Sequence, residues 1–255
     1  MKLTFLGTGT SCGVPFIGCT CPICSSKDAH DKRLRTSALL EVNGKHILFD
    51  CGPDFRQQML SIPFHHIDAV LVTHEHYDHV GGLDDLRPYS VFGEVNVYAE
   101  DFCATHLEER IPYCFIPKEK RYPGVPSLNL IRVEPHVPIN VDGVEILPLR
   151  VMHGKLPILG FRVGSLAYIT DMKTIDESEF DYFHGIDILV INGLRHKEHP
   201  SHQTIAEAVA FSRRIGAKQT YIVHLSHDAG FHAEEDAKLP DDIHIAYDGL
   251  VVTYE

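Results

Sequence analysis

Residues 69–82 read AVLVTHEHYDHVGG. The apolar stretch 69–72 predicts a buried strand that ends at Thr73. His74 and His76 follow two apart, so on an extended backbone both imidazoles leave on the same side. Asp78 and His79 come next, and Gly81 and Gly82 close the stretch. Four metal-binding side chains within six residues, at the end of a buried strand, would compete for solvation unless a cation satisfied them. One such histidine would be an ordinary surface or core residue, and two would be ambiguous. His-x-His-x-Asp-His at a strand terminus points instead to a metal centre.

Outward from this stretch, short β-patterned runs recur at 3–6, 38–42, 46–49, 95–98, 144–149, 160–163, 167–169, 188–191, 220–223 and 251–254. Many are β-branched or aromatic and bounded by Gly, Pro, Asn or Asp. Asn43-Gly44 between two of them predicts a type I′ hairpin. Helices are expected at 53–60, 83–91, 101–110 and 204–215. The last is the clearest, with Ile205, Ala208, Val209 and Ser212 on one face and Gly216 as its stop. The order of elements predicts two packed sheets flanked by helices, built as two halves. Residues 8–36 and 111–128 lack periodicity and read as long loops, which in a compact domain are usually functional or disordered. One domain over residues 1–255 is expected, with no repeat or linker dividing it.

The 255 residues are 44% hydrophobic and 23% charged, which sets aside disordered, collagen-like and coiled-coil classes. Thirty-five acids against 23 bases give a net charge of −12, which weighs against gripping nucleic acid by bulk charge. The unusual count is 18 histidines, the commonest metal-ligand residue type. No apolar run reaches the roughly 18 residues of a membrane helix, and the N-terminus does not pattern as a signal peptide. Seven cysteines, an odd number with three clustered at 19–24, do not suggest a disulfide framework. A reducing cytoplasm is the expected location.

With the signature at 74–79, the chain resembles the metallo-β-lactamase superfamily of metal-dependent hydrolases. The resemblance extends to LGTGTSCGVP (6–15), FDCG (49–52), MHGK (152–155), YITDM (168–172) and VHLSH (223–227). It implies an α+β fold, the four-layer αβ/βα sandwich. It also implies that His74 and His76, completed by His153, hold one metal. Asp78 and His79, completed by His224, would hold a second, with Asp171 bridging the two. Asp171 and His224 each follow an apolar run, where a rigid sheet can hold a ligand still. Taken by itself, His153 reads as an ordinary loop residue. Asp50, after another strand, is either an orienting partner for a ligand histidine, as the resemblance suggests, or a strand-end turn residue. Two divalent ions so placed would acidify a shared water. Imidazole suits Zn, Fe and Ni while carboxylates admit Mn, so the expected active-site pair is Zn or Mn.

Cys19, Cys21 and Cys24 form C-x-C-x₂-C, three thiolates that need a fourth ligand to close a tetrahedral zinc site near 18–30. His30 is close in sequence and His227 is distant; three buried or reactive thiols would be the plain alternative. The loop and the terminal H-x-S-H resemble the phosphoribosyl cyclic phosphodiesterases of phosphonate breakdown, which implies His227. Cys12, Cys51, Cys103 and Cys114 carry no pattern and read as packing residues.

His202 precedes the 204–215 helix. In phosphodiesterases of this fold a histidine there assists the departing oxygen, so His202 and Asp78 are the candidate catalytic residues, with His196 and His199 as weaker alternatives. Arg87 is a candidate phosphate binder or else a surface arginine. The expected function is a metal-dependent phosphodiesterase acting on small cyclic ribose or nucleotide phosphodiesters, with two active-site metals and one structural zinc. A homodimer is allowed; nucleic acid and membrane partners are not expected. The competing readings are a tRNA 3′-processing endonuclease, a thioesterase of the same fold and a non-catalytic metal-binding module. The first needs a long basic arm, and residues 117–126 hold the only comparable cluster. A true β-lactamase is disfavoured because Asp171 stands where the zinc lactamases have Cys.

Overall fold

The computed structural model describes residues 1–254. The first sheet contains β1 (Lys2–Gly7), β2 (Ser37–Val42), β3 (Lys45–Phe49), β4 (Ala69–Leu71), β5 (Val95–Glu100), β6 (Leu128–Val133) and β14 (Val251–Thr253), in the order β14-β1-β2-β3-β4-β5-β6. The second contains β7 (Ile139–Val141), β8 (Val144–His153), β9 (Leu156–Val163), β10 (Leu166–Ile169), β11 (Ile188–Asn192), β12 (Gln219–Val223) and β13 (Ile243–Ile245), in the order β13-β12-β11-β10-β9-β8-β7. The helices are α1 (Phe55–Met59), α2 (Tyr77–Val80), α3 (Asp101–Arg110), α4 (Ile205–Ile215) and α5 (His232–Asp236).

Period-two patterning builds the layers. Ile47 and Phe49 of β3 and Leu166 and Tyr168 of β10 point into one cluster between the sheets. Leu48 points the other way, under α1 and α3, while Ala167 and Ile169 face α4. Both faces of each sheet are therefore buried, which is why the strands read as continuous apolar runs. Phe49 stacks on Tyr168 with centroids 4.3 Å apart. Fully burying each such side chain stabilises by about 1.5–3 kcal/mol. The result is the α+β, αβ/βα sandwich that the resemblance implies.

Local signals hold where they were strongest. Asn43 and Gly44 have φ of 51° and 74°, as a type I′ turn requires. Helix α4 starts on a capping box, in which Thr204 and Glu207 bond each other's backbone N–H, and ends at Gly216 with φ 70°. The expected helix at 83–91 is instead a run of 3₁₀ turns, Leu83–Phe92, with Pro88 inside it. Strands β6, β7 and β13 were not expected. β6 is an edge strand interrupted by exposed polar Asn129 and Arg132, and β7 and β13 are only three residues long.

Strands β3 to β6 run parallel, as do β10 to β13. Parallel strands put their carboxyl ends on one edge, where open α/β sheets carry ligand sites.

Candidate dinuclear metal centre

Asp50 follows β3, and Thr73 and His74 follow β4. His76 keeps an extended backbone (ψ 145°) just before α2, whose single turn carries Asp78 and His79. His153 is the last residue of β8, paired with Leu156 of β9. Asp171 and His224 come directly after β10 and β12, apart from one residue, Thr170, in the first case. Asp50, Asp171 and His224 all have positive φ (57°, 57° and 59°), a sparsely populated region for residues other than glycine. The chain turns sharply there, and each side chain is directed into the space between the sheets' ends.

Helix α2 sits directly on the turn after β3. A Cβ on Gly52 would lie 2.1 Å from the Asp78 carbonyl oxygen, and one on Gly82 would lie 2.0 Å from the Gly52 carbonyl oxygen. Only glycine permits this approach. The Cys51 N–H donates to the His79 carbonyl at 2.7 Å and completes the clasp.

The donors form two main sets, His74–His76–His153 and Asp78–His79–Asp171–His224, with the ligand atoms of each set within 4.8 Å of one another, and His153 and Asp171 form a further such group with His202. Asp171 faces both. Its Oδ1 is 3.1 Å from His224 Nδ1 and 3.4 Å from His79 Nε2, while its Oδ2 is 4.0 Å from His74 Nε2. His74 Nε2 and His76 Nδ1 approach to 3.0 Å. The buried His79 Nε2 and His224 Nδ1 have no hydrogen-bond partner. Buried polar atoms left unpaired are costly, so this donor chemistry fits two divalent cations.

The outward-facing ring atoms are held. His79 Nδ1 donates to Asp50 Oδ2 at 2.7 Å, and Asp50 also accepts from the Thr73 N–H at 2.8 Å and from its hydroxyl. His74 Nδ1 lies 3.0 Å from Thr73 Oγ1, and His224 Nε2 lies 3.1 Å from Thr10 Oγ1. His153 Nδ1 donates to the Ser201 carbonyl at 2.9 Å. Such partners fix tautomer and ring orientation. Burial drives the His74 imidazole well below its usual range. Burial also opposes charge on His79, but the carboxylates of Asp171, Asp78 and Asp50 outweigh it and raise that ring. The carboxyl of Asp171 is held well below its usual range, against its own burial, by His224 and His79.

His202 Nδ1 is 3.7 Å from Asp171 Oδ2, and its ring stands 4.6 Å from that of His153 and 4.9 Å from that of His224. Burial lowers it to about 3, so it is a neutral ring with one N–H to offer. The other two histidines of this segment are less central. His196 bonds Glu235 at 2.7 Å, and His199 bonds Ser201 while its ring lies 5.0 Å from that of His202. Arg87 is engaged elsewhere: its guanidinium grips Asp84 at 2.7 and 2.8 Å and donates to the Gly124 carbonyl, all outside the two donor sets.

The cysteine set lies apart from this cluster. Cys19, Cys21, Cys24 and His227 place their ligand atoms within 4.8 Å of one another. His227 Nδ1 is 3.3 Å from Cys21 Sγ and 3.5 Å from Cys19 Sγ, and Phe16 stacks on the imidazole. The Cys24 N–H, donating to Cys21 Sγ, and His227 lower the Cys21 thiol to about 6. His30 packs instead against Tyr247 and His232. Cys51, Cys103 and Cys114 are buried as expected, whereas Cys12 is exposed and packs no core. Thr10, Thr73 and the Ser201 carbonyl were not singled out from sequence; no spacing rule marks a residue that acts by holding another.

Residues 45–225 match the profile of the family described as the beta-lactamase superfamily domain. The octanoyltransferase of Porphyromonas gingivalis W83 is 49% identical over 252 residues, covering 98% of this chain and 51% of that protein. The chain thus spans about half the length of that relative. The crystal structure of a new diphosphatase from the PhnP family is 41% identical, with a TM-score of 0.91 over 98% of this chain and 96% of that one. Zn²⁺-bound PqqB from Methylobacterium extorquens gives a TM-score of 0.79 over both whole chains at 20% identity, a likeness of fold. Among the described residues, no helix is long and apolar enough to cross a membrane.

Proposed function

Because the chain belongs to the beta-lactamase superfamily domain family, we propose that it is a metal-dependent hydrolase, a phosphodiesterase acting on small cyclic ribose or nucleotide phosphodiesters. It works as one domain over residues 1–255, with a zinc-binding loop near 18–30. The observation that carries this reading is the placement of Asp171, whose two oxygens face two separate donor sets. The 41% identity to a diphosphatase supports chemistry at phosphorus.

His74, His76 and His153 would hold one divalent ion, and Asp78, His79 and His224 a second, with Asp171 between them. Zn or Mn bound there would supply Lewis acidity, acidifying a water and neutralising charge on the phosphoryl oxygens. Asp50, through His79 Nδ1, keeps the Nε2 lone pair of that ring inward. The Ser201 carbonyl does the same for His153. The burial of His74, His79, Asp171 and His224 keeps bulk water from competing with these fixed groups. In the reaction a water oxygen bonds to phosphorus, the ester P–O bond breaks, and a proton must reach the departing alkoxide. His202 stands beside Asp171 with its Nδ1 unpaired, in position to offer an N–H to that oxygen.

The test is His202→Ala, assayed on alkyl or cyclic ribose phosphodiesters and on p-nitrophenyl esters. Loss of that N–H hydrogen bond to the departing oxygen slows the first by about 10²–10³-fold and the second far less, with metal content unchanged. Equal slowing would make His202 a residue that positions phosphate. Turnover of thioesters or β-lactams, with no phosphodiester hydrolysed, would overturn the assignment.

A further inference from the structure

Asn192 ends β11, between the two strands that lead to Asp171 and His224. It is fully buried and takes no part in the chemistry above. A buried amide needs partners for both its oxygen and its nitrogen. The main chain of Asn192 faces Val223, the residue before His224, and the next N–H, of Gly193, donates to the Val223 carbonyl at 2.9 Å. Its side chain reaches instead toward the end of β10 and grips Met172, the residue after Asp171. The Met172 N–H donates to Asn192 Oδ1 at 2.8 Å, and Asn192 Nδ2 donates to the Met172 carbonyl at 3.0 Å. The backbone thus dictates which end of the amide is oxygen, because an N–H needs an acceptor and a carbonyl a donor.

That grip has two consequences. Asp171 has φ of 57°, and a residue other than glycine stays in that region only where its surroundings over-determine it. Two hydrogen bonds to the next residue are such a constraint. The Met172 carbonyl also accepts from the Gln203 N–H at 3.1 Å, and the Gln203 carbonyl accepts from the Leu194 N–H at 2.9 Å. Gln203 is the residue after His202. The turn bearing Asp171 and the segment bearing His202, whose side chains stand 3.7 Å apart, therefore meet at one carbonyl, and Asn192 holds it.

We propose that Asn192 is a positioning residue, a buried amide that sets where His202 stands against Asp171 and so governs the help given to the departing oxygen. This rests on the reading of His202 as the donor to that oxygen. Asn192 itself touches neither substrate nor ion. Without its amide, the Met172 N–H and carbonyl each lose a partner inside an apolar cluster, and the turn must shift to find others. The shift reaches His202 through Gln203.

The experiment replaces Asn192 by Leu, which is similar in size and makes no hydrogen bond. The metal-loaded protein is assayed on alkyl or cyclic ribose phosphodiesters and on p-nitrophenyl esters. A misplacement of about 1 Å can cost about 10²-fold in rate. Asn192→Leu should therefore slow the first substrates by about 10²-fold and the second far less, because nitrophenolate leaves without an N–H. A role in folding alone would slow both alike. In a His202→Ala background the same substitution should leave the ratio of the two rates as it is, since residues that act as one unit are not additive. Equal slowing in the parent, or a ratio that Asn192→Leu still shifts in the His202→Ala background, overturns the proposal. A second readout needs neither turnover nor metal. The His202 ring lies 4.6 and 4.9 Å from those of His153 and His224, so its ring-proton NMR shifts in metal-free protein report its place among them. They should move in Asn192→Leu, or in the milder Asn192→Ser if the first variant does not fold. Unchanged shifts in a folded variant overturn the proposal. Should the parent hydrolyse no phosphodiester, the function fails first, and the NMR shifts still decide whether Asn192 places His202.

Discussion

Replacing Asp50 by Asn tests whether a residue that touches no metal governs the centre. The carboxylate is fully buried and accepts from three donors: the Thr73 N–H and hydroxyl, and His79 Nδ1 at 2.7 Å. An amide of the same shape has one oxygen. Oδ1 is the natural place for it, because both Thr73 donors reach that atom, at 2.8 and 3.1 Å. The NH₂ then faces His79 Nδ1. Two donors cannot face each other, so the imidazole must move its proton to Nε2, the atom that points at Asp171. A protonated Nε2 cannot bind a cation. The alternative flip puts the NH₂ against the Thr73 N–H and leaves that buried donor unpaired. Either arrangement weakens the site, and losing such an outer partner typically costs 10–100-fold in metal affinity. At 1.4 kcal/mol per decade this is about 1.4–2.8 kcal/mol. Competition against a chromophoric chelator measures it, with circular dichroism to confirm the fold. Affinity within twofold of the parent would refute the tautomer argument, whatever happens to turnover.

Elemental analysis of fully reconstituted protein should approach three metals per chain, two in the His/Asp sets and one in the cysteine set; a reproducible value of one or less defeats the scheme. Cys21→Ser should lower Tm while the active-site metals stay bound, because a structural zinc contributes directly to folding. Unchanged stability with a loss of rate would move the cysteines into the active site. Gly82→Ala drives a methyl into the Gly52 carbonyl, which should destabilise by about 1–3 kcal/mol and loosen metal binding at His79. A parent-like melting curve would show that α2 can lift off the turn without penalty.

What could be read from the chain follows from how local each signal is. The run from His74 to His79 declares itself because its donors are neighbours, whereas Asp171 and His224 came from the resemblance, with the apolar strands that lead up to them in agreement. His153 has no local mark. Its orienting contact, the Ser201 carbonyl, lies 48 residues away, so only resemblance assigned it. Spacing admitted both His30 and His227 beside the thiols; the approach of the β12 exit to the loop after β1 chose between them. Arg87 could be read in sequence as a phosphate binder or a surface arginine, because Asp84 and Gly124 close on it only in three dimensions. Nothing in the sequence says which way the ring of Tyr77, on a one-turn helix, folds.

The cysteine set also bears on how the chain reaches its fold. Cys21 and His227 are 206 residues apart, and one lies after the first strand of one sheet while the other lies after β12 of its partner. An ion shared between them would act as a cross-link across most of the polypeptide. By the chain-entropy relation for disulfides, closing a loop of that length removes on the order of 5 kcal/mol of unfolded-state freedom. Whole domains are stable by only about 5–15 kcal/mol. The three thiols sit within six residues and can collect zinc in the unfolded chain, but His227 joins them only after the halves meet. An ion bound there would then work as a latch, adding little while the sheets assemble and slowing their parting afterwards. Chelation should therefore speed unfolding more than it slows folding.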